Sequence, residues 1–233
     1  MYGLRRPVLI LITLLLGPVA AFAQSERFER ELESFEAADR VAPPTQGEVV
    51  FVGSSSIARW DVAKSFPDVK GINRGISGSE LADTVRLLDR LVVPYAPRVV
   101  VVYAGDNDIA DGRTSEDVAA EFEQLVTKVH TKLPQTRIVF IGLKPSLSRW
   151  TLVDRMRSAN LMIRGYCEHD DRVAFIDIDG AMLGWDEKPR HELFVSDGLH
   201  MSAEGYQVWS FLLRPYLKDV RQEATSTRSN SPQ

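Results

Sequence analysis

An α/β fold with one mostly parallel sheet of about five strands is the architecture this sequence predicts, and three observations predict it. Four short runs are β-branched or aromatic almost throughout: Val49 to Val52, Val99 to Tyr103, Ile138 to Ile141 and Val173 to Ile176. Strands covered on both faces read this way, as continuous apolar runs without alternation. Stretches with helical spacing lie between them, and such alternation implies right-handed crossovers with helices on both faces of the sheet. Finally, 233 residues at 44% hydrophobic and 26% charged suit one globular domain with a full core.

Taken in chain order, the first segment is expected to be removed. Arg5 and Arg6 precede an apolar stretch from Val8 to Leu16, broken only by Thr13, and Ala21-Phe22-Ala23 fits an A-x-A cleavage site. Residues 1–23 read as a signal peptide, with Gln24 as the new N-terminus and the mature chain periplasmic or secreted. The other reading is an uncleaved anchor, since no charge falls between Pro7 and Ala23, although that stretch barely reaches the length of a membrane span. Residues 24–45 contain a charged amphipathic stretch, Glu26 to Arg40, expected to pack on the outside of a main domain spanning residues 46–220.

Within that domain a weaker run, Val69 to Asn73, supplies the fifth strand. Leu81, Val85, Leu88 and Val92 follow helical spacing. So do Val118, Phe122, Leu125 and Val129, behind a capping box formed by Thr114 and Asp117. A third helix is expected from Thr151 to Glu168. A fourth starts at Ser202 and carries Tyr206, Trp209 and Leu213 before Pro215. Residues 221–233, polar and rich in Ser, Thr and Asn, read as a disordered tail.

Composition excludes several classes of function. A single cysteine, Cys167, rules out a disulfide scaffold and a multi-cysteine zinc site, and suits an oxidising compartment because it has no partner. The net charge of −4 gives no general attraction for nucleic acid.

Ligands of parallel sheets bind at the carboxyl ends of the strands, so the segments that follow the strands carry the functional argument. After the first strand comes Gly53-Ser54-Ser55-Ser56-Ile57. A serine there either caps the next helix or stands at a helix N-terminus whose free N–H groups face a developing negative charge. The segment is not a phosphate loop, because it lacks both a Gly-Lys-Ser/Thr ending and a G-x-G-x-x-G pattern. After the second comes Asn73-Arg74-Gly75-Ile76-Ser77-Gly78-Ser79, read either as turn chemistry or as an exposed N–H aimed at the same place. After the third comes Ala104-Gly105-Asp106-Asn107-Asp108, where Asn107 is either an amide donor or an Asx-turn former. After the fourth, Arg149 and Trp150 sit in a loop from Lys144 to Thr151. Trp150 is there either an aromatic platform for sugar or a core contact at a helix start.

Late in the chain, Asp197 and His200 lie three apart on a Gly-containing loop, a spacing that lets a carboxylate hold one imidazole nitrogen while the other faces outward. His191, in the loop leading to that segment, is the competing base. His130 is expected to be exposed near a helix end, and His169 lies in a charged turn. A metal site is disfavoured, because there is no H-E-x-x-H and no second histidine at ligand spacing from His200.

Together these segments resemble the SGNH hydrolases, or GDSL esterases and lipases. Phe51-Val52-Gly53-Ser54-Ser55 is similar to the family's first block, Gly78 to the second block's glycine, Gly105-Asp106-Asn107-Asp108 to G-x-N-D, and Asp197 to His200 to D-x-x-H. The blocks occur in family order from about Glu48 to Pro215. One position departs: Ser54 stands where the family usually has aspartate. The resemblance implies a flavodoxin-like three-layer α/β/α sandwich and a catalytic domain over residues 46–220. It implies a serine esterase with Ser55 as nucleophile, His200 as base and Asp197 as its orienting carboxylate. Ser54 and Ser56 are the other candidates for the attacking serine. The implied oxyanion hole consists of the backbone N–H groups of Ser55 and Gly78 and the Asn107 amide. No cofactor or metal is expected. The partner expected is a small-molecule or carbohydrate ester, with no nucleic acid and no stable membrane association after cleavage. A ligand-binding protein on the same fold that has lost the chemistry is the alternative.

Overall fold

The computed structural model describes residues 17–217, with side chains in the first helix from Glu26 onward. Most of the expected signal peptide and the polar tail lie outside the described residues.

The chain begins with α1 (Gly17–Val41) and enters β1 (Val49–Gly53). Two short helices follow, α2 (Ser55–Ala58) and α3 (Val62–Ser65), then β2 (Gly71–Gly75) and α4 (Leu81–Leu91). Next come β3 (Val99–Tyr103), α5 (Asp106–Ala110) and α6 (Ser115–Lys132). β4 (Arg137–Ile141), α7 (Val153–Cys167), β5 (Val173–Ile176) and α8 (Ala203–Leu217) complete it. The five strands of the sheet pair in parallel, in the order β2-β1-β3-β4-β5. This is the flavodoxin-like order, whose topological switch point lies between β1 and β3.

Two cores flank the sheet because successive strand residues face opposite ways. Val50, Val52, Ile138 and Phe140 point to one side, onto Phe28 and Leu32 of α1, Leu81 and Leu88 of α4, Phe122 and Leu125 of α6, and Ile163 of α7. Val49, Phe51, Val101 and Ile141 point to the other, onto Ile57, Trp60, Phe66, and Trp209 and Leu213 of α8. The result is a three-layer α/β/α sandwich.

Several boundaries differ from expectation, among them the start of α1, which lies at Gly17 and not at Glu26. The fifth strand lies two residues later than Val69–Asn73. Asn73, Arg74 and Gly75 are poor strand formers, and tertiary pairing overrides that preference: Val49 aligns with Gly71, and Gly53 with Gly75. The third helix is preceded by a 3₁₀ turn over Trp150–Leu152, so its regular part starts at Val153 and ends at Cys167. The fourth, expected from Ser202, spans Ala203–Leu217 and contains Pro215. Proline in the last turn removes one internal hydrogen bond, and the buried Leu213 and Leu217 on either side hold the turn in place. The Thr114 capping box forms as expected: Thr114 Oγ1 accepts from Asp117 N at 3.1 Å, and Asp117 Oδ2 from Thr114 N at 3.0 Å.

Register positions the site. Gly53 is level with Gly75 on one side and Tyr103 on the other, so the loops after β1, β2 and β3 leave the sheet together. Gly53 has φ +130°, and a Cβ there would lie 1.9 Å from the Tyr103 carbonyl oxygen. Only glycine lets the chain turn there while Ser54 N donates to that oxygen at 2.9 Å.

Candidate active site

The turn after β1 delivers three serines into three environments. Ser54 sits at the N-cap of α2, but its hydroxyl makes no capping bond and is buried without a partner among the described residues. Ser56 is buried, and its Oγ accepts from Lys144 Nζ at 3.2 Å. Ser55 alone is partly open, and its Oγ lies 2.9 Å from His200 Nε2. A single N-cap therefore does not account for the run.

The Asp197–His200 loop is organised by the carboxylate. Asp197 Oδ2 accepts from His200 Nδ1 at 2.6 Å, while Oδ1 accepts the backbone N–H groups of Leu199 at 2.8 Å and His200 at 2.9 Å. The His200 hydrogen bond, with the two backbone donors, holds the Asp197 carboxyl far below the usual carboxylate range. An anion on Nδ1 fixes the proton there and leaves Nε2 as the acceptor facing Ser55.

The other histidines stay apart. His191 is exposed at the start of a 3₁₀ turn and is not brought to Ser55. His130, expected to be exposed, is half-buried: its Nε2 contacts the Thr136 carbonyl at 3.1 Å because the helix end folds against the β4 approach, and burial lowers its pKa. His169 Nδ1 contacts the Gly165 carbonyl at 2.8 Å.

Three groups were expected as oxyanion donors: the Ser55 N–H, the Gly78 N–H and the Asn107 amide. The Ser55 N–H opens α2 and, like that of Gly78, has no hydrogen-bond partner among the described residues. Gly78 has φ +74°, a conformation L side chains adopt only under strain, and a Cβ there would lie 2.9 Å from Arg27 Nη2. Arg27 donates to the Ser77 carbonyl and so pins this loop to α1. Asn107 Nδ2 donates to the Ser79 carbonyl at 2.9 Å, joining the loops after β2 and β3 rather than closing an Asx-turn on itself.

Several side-chain partners were not signalled by the sequence. Asn73 Nδ2 donates to the carbonyls of Ile57 and Trp60 at 2.7 and 3.0 Å, and its Oδ1 accepts from Gly75 N at 2.9 Å, which ties the Ser55 segment to β2. Lys144 is 1% exposed beneath the serines, and its Nζ donates to Asp106 Oδ2 at 2.7 Å and to Tyr103 OH at 2.9 Å. Burial of that ammonium lowers its pKa, while the Asp106 charge opposes the shift. Asp108 is buried and accepts the Leu81 N–H at the start of α4 at 3.1 Å. Burial pushes its carboxyl up to about 7. Apart from the local Asn73–Gly75 bond, no spacing rule signals such partners, since the contacts join segments far apart in the chain.

Trp150 is engaged rather than open. Lys188 Nζ lies 4.9 Å and the Arg157 guanidinium 5.6 Å from its ring centroid. Cys167 is buried on α7, and burial pushes its thiol up to about 12, so it is not a reactive group. Among the described residues, no three His, Cys, Asp or Glu side chains are grouped to hold a metal ion.

Several known proteins are similar to this chain. The chain is 28% identical to the bovine platelet-activating factor acetylhydrolase IB subunit alpha1 over 197 residues, which cover 79% of this chain and 83% of that protein. A GDSL-like lipase from Bacteroides thetaiotaomicron superposes with a TM-score of 0.69 at 18% identity, covering 80% of this chain and 96% of that one. A carbohydrate esterase family 3 protein from Talaromyces cellulolyticus gives 0.62 at 16% identity, covering 74% and 96%. The family model for GDSL-like lipases and acylhydrolases matches residues 45–208, a span that holds the Ser55, Gly78, Asn107 and His200 segments. The chain therefore belongs to the GDSL-like lipase/acylhydrolase family, the SGNH hydrolases, and is a hydrolase on the three-layer fold described above.

Proposed function

We propose that this protein is an exported serine esterase that hydrolyses carboxylic esters through an acyl-enzyme intermediate. The observation that carries the reading is the 2.9 Å contact between Ser55 Oγ and His200 Nε2, with Asp197 on the opposite ring nitrogen. A serine hydroxyl is a weak nucleophile until a base takes its proton. As Ser55 Oγ bonds to the ester carbonyl carbon, Nε2 accepts that proton and Asp197 stabilises the resulting imidazolium. The carbonyl oxygen becomes an oxyanion facing the N–H groups of Ser55 and Gly78 and the second N–H of Asn107. On collapse, the imidazolium protonates the leaving alkoxide and the acyl group stays on Ser55. Water then attacks the acyl carbon, gives its proton to Nε2, and the carboxylic acid product departs as Oγ recovers the proton.

Acetyl or other short acyl groups on small molecules or carbohydrates are the substrate class in this reading. It is supported by relatives named as an acetylhydrolase and a carbohydrate esterase. Export rests on the leader sequence. Among the described residues no helix is long and apolar enough to cross a membrane.

The test uses protein starting at Gln24. p-Nitrophenyl acetate should be turned over, and a fluorophosphonate should label Ser55 covalently. Binding of esters without turnover or labelling would return the chain to the non-catalytic alternative. A panel of acetylated sugars against acyl chains of rising length then assigns the substrate.

A further inference from the structure

The two ends of an asparagine amide are almost the same size, so packing alone does not choose which faces the substrate. For Asn107 the choice decides function, because its oxygen would repel an oxyanion and its N–H₂ would bind one. Three contacts make it. Arg149 Nη2 lies 2.9 Å from Asn107 Oδ1, and a guanidinium only donates. The Ser79 carbonyl, 2.9 Å from Nδ2, only accepts. Arg149 Nη1 in turn stands 3.2 Å from Asp106 Oδ2, the same carboxylate oxygen that Lys144 holds at 2.7 Å.

We infer that Arg149 is a positioning residue for the ester hydrolysis. Held beside the buried Asp106–Lys144 pair by charge, without a hydrogen bond from Nη1 among the described residues, it locks the Asn107 amide with one N–H on Ser79 and the other free for the oxyanion. The inference rests on the proposed role of Asn107 as a donor and deepens it. Arginine suits the task because its planar fork reaches Asp106 and Asn107 at once, whereas a lysine head is a single point of charge. Asp106 and Lys144 are nearly inaccessible, with side chains 4% and 1% exposed, so removing either leaves a buried charge unpaired and threatens folding. The Arg149 side chain is 18% exposed and is the better place to probe.

The experiment is a double-mutant cycle on mature protein, with folding checked by circular dichroism and Tm. Asn107→Ala should lower kcat by roughly 10²–10³-fold. Arg149→Met should lower kcat by about 10- to 100-fold with KM nearly unchanged, as expected when a transition-state contact is misaligned. In the Asn107→Ala background the same change should cost less than about 3-fold, because there is no amide left to orient. Arg149→Lys, which keeps the charge, should fall between wild type and Arg149→Met. Wild-type kcat in Arg149→Met overturns the inference alone. So does an equal loss in both backgrounds, or a raised KM with kcat retained, which would make Arg149 a substrate contact. Normal kcat in Asn107→Ala overturns the donor assignment and the inference with it.

Discussion

Three adjacent serines carry the same hydroxyl, and their neighbours alone separate them. Ser54 and Ser56 are buried, the latter on Lys144, while Ser55 meets His200. Ser55→Ala and His200→Ala should each lower turnover by several orders of magnitude without unfolding the protein, since each removes one part of the proposed catalytic unit. His191→Ala should leave kcat unchanged. Ester turnover that survives Ser55→Ala and disappears in Ser56→Ala would reassign the nucleophile. Asn107 offers a sharper contrast. Asn107→Asp keeps the size of the side chain but sets a negative charge where another must form, so it should lower kcat at least as much as the alanine variant. Near-normal kcat in Asn107→Asp would leave the oxyanion to backbone donors alone.

At the scale of elements, helix α4 depends on a residue from another helix. Asp108 reaches from α5 to the Leu81 N–H, one of the unpaired donors at the start of α4. Its carboxyl titrates at about 7 when folded, against an ordinary value of 3.8, because burial outweighs the Leu81 hydrogen bond. Between those two values the folded state keeps a proton that the unfolded state has released. The contribution of Asp108 to stability is therefore full below about pH 4 and declines as pH rises to about 7, by on the order of a few kcal/mol. Asp108→Asn keeps an oxygen for Leu81 and cannot ionise. Urea unfolding from pH 4 to 7 should show wild type losing stability relative to Asp108→Asn, and parallel profiles would refute the burial argument. At the same time kcat should change far less than in Asn107→Ala, because Asp108 supports the helix and not the reacting atoms.

For the molecule as a whole, α1 acts as a strap across one face of the sheet. Phe28 and Leu32 are buried against the β1 side chains, Asp39 pairs with Arg74, and Glu29 and Glu36 pair with Arg90. Arg27 reaches the Ser77 carbonyl beside Gly78, so the strap touches the site as well as the core. Protein starting at Gln24 should fold. Phe28→Ala should cost about 3–5 kcal/mol, the usual penalty for truncating a buried phenylalanine. Protein starting at residue 46 should be still less stable, since it exposes that face of the sheet. Equal urea midpoints for the two truncated forms would show that α1 is dispensable. N-terminal sequencing of exported protein should return Gln24, whereas Met1 would favour the anchor reading.

The fold and the location of the site were largely legible in the sequence, because both depend on local patterns. Continuous runs such as Val99 to Tyr103 have nowhere to go but a buried parallel strand, and parallel strands gather their following loops at one edge. Asp197 and His200 are three residues apart, so their hydrogen bond is nearly a local property of one turn. Contacts between loops were not legible. Which serine meets His200 depends on how α2 leaves β1, and β2 formed where its partner strand required it, despite Asn73, Arg74 and Gly75. Lys144 and Arg149 carried no visible tie to Asp106 and Asn107, some forty residues away. Those pairs exist because β3 and β4 lie side by side in register and bring their following loops together, and side-chain charge then selects the contacts.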